Sequence, residues 1–391
     1  MTGMNTRRLL SVPIAALVFG ACASRVATET SATAVAVSTA VSTAAPDTST
    51  ATATTSPEAT EPETTAPEPT APETTASETT EPETTAPETT APETTAPAAA
   101  TALAGVPATG DVVQRTLVTA DGRTRVYRIY VPSSLPNSPV PLLLAFHGGT
   151  GWGAQFEKNS GFDELAEANG FLVVYPDGVG SGADETTNRT WNGGDCCGAA
   201  ARNDVDDVAF VDQLLDVLEA AYSIDPARVF AAGHSNGGIL SYRLACELSE
   251  RIVAVGLQAG TLEIDACAPP TAVSLLHIHG VADTNLPIDG GRGTTSIANV
   301  DFNSPRVAVQ TFADAIGCSA EPAVTTTATN ADLTVSTWTG CDDRAEVQFV
   351  AVDGAAHPWM GHTPSNPAAP PVYTGLDASF EIVAFLLAHP R

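Results

Sequence analysis

Positive charge is scarce in this chain. Its 391 residues include 45 acidic and only 17 basic side chains, a formal net charge of −28. The first 25 residues carry three arginines and no acid, and residues 26–105 carry 12 acids and no base. The remainder holds 33 acids against 14 bases, a net −19. A domain that acidic repels polyanions, which argues against a nucleic-acid partner and favours a neutral substrate or one docked through apolar contacts. Metal-ligand spacing is missing as well. There is no C-x-x-C pair and no histidine cluster with zinc spacing, so no metal site is expected. The apolar run near the N-terminus, Leu9–Phe19, has 11 residues, too few to cross a bilayer as a helix.

That short run, preceded by Arg7 and Arg8, reads as the apolar core of a signal peptide over residues 1–22. It ends in Phe-Gly-Ala-Cys, which resembles a bacterial lipobox with Cys22 as the lipidated residue, although Phe19 stands where leucine is usual. The expectation is an exported chain, either a cell-envelope lipoprotein held to the membrane only through Cys22 or a secreted protein. Residues 23–105 read as a Thr/Pro/Glu/Ala-rich linker. Between 26 and 105 there is no aromatic residue, and Glu-Thr-Thr-Ala-Pro recurs three times in succession from Glu83 to Pro97. Such a segment has too little apolar surface to offset the entropy of ordering its backbone, so disorder is expected. A single folded domain is left for residues 106–391.

Cysteine usage agrees with export. Six cysteines follow Cys22, an even number consistent with three disulfides. Cys318 and Cys341 flank one Thr-rich segment and are expected to pair. The adjacent Cys196 and Cys197 are not expected to reach one partner, so Cys246 and Cys267 are assigned one each.

Within 106–391, strand and helix patterns alternate. Residues 125–132 alternate like an exposed edge strand, whereas 140–149 and 171–178 are continuous apolar runs of the kind buried on both faces. Val205–Tyr222 has helical spacing, with Val208, Val211, Leu214, Leu215 and Leu218 on one face. A strand ending near His234 runs into a helix from Ile239 to Leu248. Three further core strands lie at 252–260, 273–280 and 346–352, with helices near Arg306–Ile316 and Ser379–Leu387. This alternation predicts an α/β fold with a mostly parallel, doubly wound sheet in one domain.

The chemistry starts at Ala231–Leu240, where Gly233-His234-Ser235-Asn236-Gly237 lies between a predicted strand and a predicted helix. That is the setting of a nucleophile elbow. Glycine is needed two residues before and after the serine because the turn leaves no room for side chains. A helix N-terminus behind the serine offers free N–H groups and partial positive charge. Serine is a weak nucleophile unless a base, oriented by an acid, activates it. Asp283 follows one predicted strand directly and His357 follows another, in the chain order Ser, Asp, His. Asp289 and Asp301 lie further from any strand end, and His362 sits in a Pro-rich loop. His277 and His279 fall within a strand and read as structural. His234 is expected to point away from the nucleophile. The backbone N–H of Asn236, with that of Gly149 or else Thr150 from the His147-Gly-Gly-Thr segment, supplies the oxyanion hole. Trp152, Trp191 and Trp359 are candidate substrate-binding surfaces, with Trp152 and Trp359 preferred.

Taken together, LLLAFHGGTG, VVYPDG, WNGGDCCG, DVDDVAF, IDPARVFAAGHSNGG, HIHGVADTNLP and GAAHPWMG resemble the esterase family of polyhydroxybutyrate depolymerases and carbohydrate-esterase family 1 feruloyl and acetylxylan esterases, of the exported lipoprotein type. The resemblance runs from about Val112 to the end. It implies an α/β-hydrolase fold and a serine esterase without a cofactor, with the triad on Ser235, Asp283 and His357. The expected substrate is then a polymeric or bulky ester, and the enzyme is expected to be a monomer. One departure is that Pro358 precedes Trp359, where the family often has an aromatic residue and then proline. Two other classes stay open on the residues alone: a serine peptidase on the same fold, and a non-catalytic surface protein with a vestigial site.

Overall fold

A computed structural model of the chain describes residues 109–133, 135–326, 330–363 and 370–391. The expected signal segment with Cys22 and the expected 23–105 linker lie outside the described residues. In chain order the elements are β1 (Asp111–Val118), β2 (Thr124–Val131), β3 (Val140–Phe146), α1 (Gly153–Ser160), α2 (Phe162–Asn169) and β4 (Leu172–Pro176). The hairpin β5 (Val179–Ser181) and β6 (Thr187–Thr190) follows, then α3 (Gly198–Arg202), α4 (Asp207–Ala221), β7 (Ile224–His234), α5 (Asn236–Glu247) and β8 (Ala254–Gln258). The chain continues through β9 (Ser274–Gly280), α6 (Pro305–Ala315), β10 (Ala323–Thr326), β11 (Leu333–Trp338), β12 (Val347–Val352) and α7 (Ala378–Ala388).

Ten strands form one sheet, ordered β1-β2-β4-β3-β7-β8-β9-β12-β11-β10. The central strands from β4 to β12 run parallel, and antiparallel strands complete both edges. This is the α/β-hydrolase fold. Every residue of β3 is buried, and its side chains alternate between two cores. Leu142, Leu144 and Phe146 join the layer of α4, α5 and α6. Leu143 and Ala145 join that of α1, α2 and α7. Burial on both faces is why these strands read as unbroken apolar runs. One expectation needs correcting. The segment at 125–132 is not an edge: β2 pairs with both β1 and β4, and the edge strand is β1, whose burial alternates.

Caps set the helix starts. Asp206 accepts from Ala209 N–H at 2.9 Å, Ser304 caps α6 with Pro305 in the first turn, and Asp377 accepts from Phe380 N–H at 3.0 Å. Each satisfies a backbone donor that the helix itself leaves unpaired.

The disulfide framework holds one expected pair and corrects the other assignment. Cys318 is bonded to Cys341. Cys246 and Cys267 do not take the vicinal cysteines; they bond to each other, with Cα atoms 5.1 Å apart, and Cys196 bonds to its neighbour Cys197. The C-terminal turn of α5 lies against the loop after β8, which brings Cys246 and Cys267 within bridging distance.

Candidate active site

The three strands that carry the site residues end on the same edge of the sheet. Ser235 follows β7 with φ 55° and ψ −121°, outside the ordinary regions for a non-glycine residue. Such backbone strain costs on the order of 1–3 kcal/mol and persists only where the surroundings fix it. Here its N–H donates to Gln258 O at 2.9 Å. A side chain on Gly233 would collide with the Gly237 carbonyl, and one on Gly237 with that of Phe146. The elbow therefore requires both glycines.

His357 Nε2 lies 3.0 Å from Ser235 Oγ, and its Nδ1 lies 2.7 Å from Asp283 Oδ2. The other carboxylate oxygen of Asp283 accepts from Asn285 N–H at 2.8 Å and Leu286 N–H at 2.9 Å. Burial raises the cost of ionising Asp283. The hydrogen bond and charge of His357, with His279 and the Leu286 N–H, outweigh it and hold the pKa below the usual value. Asp283 is thus a fixed carboxylate aimed at the Nδ1 side of the imidazole, which leaves Nε2 to face the serine.

The rivals lie elsewhere. Asp289 is exposed and paired with Arg306 at 3.1 Å, Asp301 is paired with Arg292 at 3.4 Å, and His362 sits 3.2 Å from Asp377. His277 and His279 are buried in a directional chain. His279 Nε2–H donates to Leu286 O at 2.9 Å, so its Nδ1 accepts from His277 Nε2–H at 3.0 Å. His277 Nδ1 in turn accepts from Tyr242 O–H at 2.9 Å. Burial depresses both imidazoles, His279 to about 4, which keeps the chain neutral.

Several supports were not legible in the sequence. His234 does not point away: its ring centroid is 5.1 Å from that of His357, and its Nε2 lies 2.9 Å from His357 O. Burial, aided by the charge of His357, depresses its pKa to about 3, so neutral His234 donates to that carbonyl. Buried Gln258 accepts from Met360 N–H at 2.8 Å and donates to Pro358 O at 2.9 Å. The loop that presents His357 is held from two sides.

His147 heads the glycine segment facing the elbow. Its Nε2 accepts from Gly178 N–H at 2.9 Å, so Nδ1 carries the proton and donates to Gly148 O at 2.8 Å. Burial lowers its pKa to about 4. In a trans peptide the N–H points opposite to the C=O, so anchoring Gly148 O turns Gly149 N–H the other way. Gly148 and Gly149 lie against Ser235 and Asn236. Thr150 is no alternative donor, because its N–H is bonded to Arg189 O at 2.7 Å. The Asn236 side chain faces away from the serine and clamps Trp191, accepting from its N–H at 2.7 Å and donating to its carbonyl at 3.0 Å. The Trp191 indole N–H donates to His147 O at 2.9 Å.

The tryptophan expectations need correction. Trp359 is buried against Phe156, Phe162 and His234, and donates to Ser379 Oγ at 2.9 Å. It is a core residue behind the site. Trp191 is fully buried. Trp152 is exposed at the start of α1, but its neighbours Gly151 and Gln155 line the cleft instead. The cleft itself has a volume of about 550 Å³. Its apolar wall is Cys197, Ile239, Leu286 and Phe302. Among the described residues, no group of three or more His, Cys, Asp or Glu side chains is placed to hold a metal ion.

Comparison with known proteins gives a family match. Residues 125–332 match the family described as Esterase PHB depolymerase. NocK of Nocardia uniformis subsp. tsuyamanensis is 30% identical over 280 residues, covering 67% of this chain and 78% of that protein. The bifunctional acetylxylan esterase/xylanase XynS20E of Neocallimastix patriciarum is 28% identical over 249 residues, 63% of this chain but only 32% of that longer protein. Feruloyl esterase C of Emericella nidulans is 27% identical over 265 residues, 66% of this chain and 86% of that protein.

Proposed function

Because the chain belongs to the PHB depolymerase esterase family, we propose that it is an exported serine esterase that cleaves carboxylic esters through Ser235, His357 and Asp283. The observation that carries this reading is the continuous contact from Asp283 through His357 to Ser235, at 2.7 and 3.0 Å. His357 Nε2 takes the Ser235 proton as Oγ attacks the ester carbonyl. The N–H groups of Asn236 and Gly149 stabilise the oxyanion. The protonated imidazole gives its proton to the departing alcohol, which leaves an acyl-enzyme. Water, deprotonated by His357, then attacks the acyl carbon, and the proton returns to Ser235 as the acid leaves. Asp283 keeps the imidazole oriented throughout. No step calls for a cofactor.

The open, 550 Å³ cleft is in the range of small-ligand sites. Similarity to an acetylxylan esterase/xylanase and a feruloyl esterase favours acetyl or feruloyl esters of plant polysaccharide; the family's own description favours hydroxyalkanoate esters. In this reading Cys22 carries a lipid anchor and residues 23–105 space the esterase domain, 106–391, from the membrane. The three disulfides fit an oxidising compartment. Methyl ferulate, acetylated xylan and poly(3-hydroxybutyrate), each assayed with the full chain and its Ser235→Ala variant, test the proposal. Turnover of one of them that vanishes in the variant supports it. Turnover of peptide p-nitroanilides alone would replace the esterase with a peptidase.

A further inference from the structure

Charge is distributed unevenly between this protein's surface and its cleft. Acidic residues outnumber basic ones by 45 to 17, yet among the described residues lining the cleft none is Asp or Glu. Two of the three histidines there, His147 and His234, are held neutral by burial. One arginine, Arg202, lines the same cleft from the end of α3. It is exposed. Nine other arginines, between Arg123 and Arg306, each form an ion pair with a carboxylate. Arg202 forms none among the described residues. The acids that follow it, Asp204 and Asp206, line a separate depression with Arg243 and Glu247.

No carboxylate lines the cleft beside Arg202, and its guanidinium stays open to solvent and to whatever enters. A guanidinium is a fixed planar fork of donors that matches a carboxylate, and its charge persists at any working pH. The chain's net charge of −28 works against anions in general, so a local cation is what an anionic substrate needs. The apolar wall of Cys197, Ile239, Leu286 and Phe302 would pack the hydrocarbon part of such a molecule.

We infer that the cleft selects esters bearing a free carboxylate, which Arg202 binds while the ester reaches Ser235. The inference rests on the esterase reading above. The carboxylate is on the acyl portion or on the alcohol portion of the substrate, and two ester pairs distinguish these. In the first, 4-nitrophenyl hydrogen glutarate is compared with 4-nitrophenyl pentanoate, which places the charge on the acyl chain. In the second, 4-carboxyphenyl butyrate is compared with 4-carbamoylphenyl butyrate, which places it on the leaving alcohol. The measured quantity is the ratio of kcat/KM for the charged ester to that for its neutral partner, in the wild type and in Arg202→Gln. Intrinsic ester reactivity cancels between the two proteins. The ratio should fall about threefold to tenfold in the variant for one pair, the scale of a partly exposed charge-assisted contact. Arg202→Lys should restore part of it, and 0.5 M salt should shrink the wild-type preference. Ratios unchanged by Arg202→Gln in both pairs, with the neutral esters still hydrolysed, would overturn the carboxylate assignment and leave the esterase standing. Loss of all four activities in the wild type would overturn both.

Discussion

Replacing Asp283 by asparagine leaves the shape of the acid almost unchanged and alters its hydrogen bonding. In the native site one carboxylate oxygen accepts from the Asn285 and Leu286 N–H groups, and an amide oxygen can keep both. The amide NH₂ then faces His357 Nδ1 across the present 2.7 Å contact and approaches His279 Nε2, now 3.7 Å from Oδ2. Both neighbours are donors in the native arrangement. His357 relieves the conflict by moving its proton to Nε2, where it donates to Ser235 Oγ and no longer accepts from it. The base is lost while the loop remains capped. In a serine protease the equivalent change lowers kcat by about 10⁴, which corresponds to roughly 5.5 kcal/mol of barrier. A loss of that order is expected here, with KM little changed and the melting temperature within a few degrees of wild type. The assay is hydrolysis of a short p-nitrophenyl ester, followed together with thermal unfolding. Asp289→Asn is the control, since Asp289 is exposed and bonded to Arg306. An Asp283→Asn enzyme within tenfold of wild type, or an equally deep loss in Asp289→Asn, would refute the reasoning.

Three further expectations concern what holds the site and the fold. Gln258→Ala removes two hydrogen bonds from the His357 loop and should lower kcat about 10- to 100-fold, as expected for about 1–3 kcal/mol of lost support, with KM nearly constant; an unchanged kcat would show that His234 holds the loop alone. Glu263 is buried, and burial together with nearby Asp195 raises its pKa to about 7 despite the bond from Asn303 N–H. Its contribution to stability is therefore full below the unfolded pKa and is lost as pH rises towards 7. Glu263→Gln should raise the melting temperature more at pH 8 than at pH 4, and an equal shift at both would contradict this. Replacing Cys318 and Cys341 by alanine opens a loop spanning 23 residues and should cost about 3 kcal/mol in denaturant unfolding; no loss would mean the bridge does not constrain the unfolded chain.

The parts of the site that were legible in the sequence are those that leave a local signature. Gly233 and Gly237 betray the elbow because no side chain fits there. Asp283 and His357 stand just after apolar runs that are buried strands. The layered sheet was legible for the same reason. What escaped depends on distance in the chain. Gln258 supports a loop 100 residues away, and nothing in its own neighbourhood marks it. His234 was misplaced because its partner is the His357 carbonyl, 123 residues on. Trp359 next to His357 looked like a pocket wall, but packing against Phe156 and Phe162 makes it core. Of the cysteine pairs, Cys318 with Cys341 was legible, whereas the bond between adjacent Cys196 and Cys197 escaped for a local reason: neighbouring cysteines do not suggest each other as partners. The strands towards both edges, β1, β10 and β11, lack continuous apolar runs because they are less buried than the central strands.

The central claim is that Ser235 is the nucleophile, and covalent trapping tests it most directly. A phosphonylating or fluorophosphonate reagent, which reacts only with an activated serine, should modify the full chain once, and peptide mass spectrometry should place the adduct on Ser235. Ester hydrolysis should fall in proportion to labelling, and Ser235→Ala should neither label nor hydrolyse. An adduct on another residue, or hydrolysis that survives in Ser235→Ala, would contradict the account.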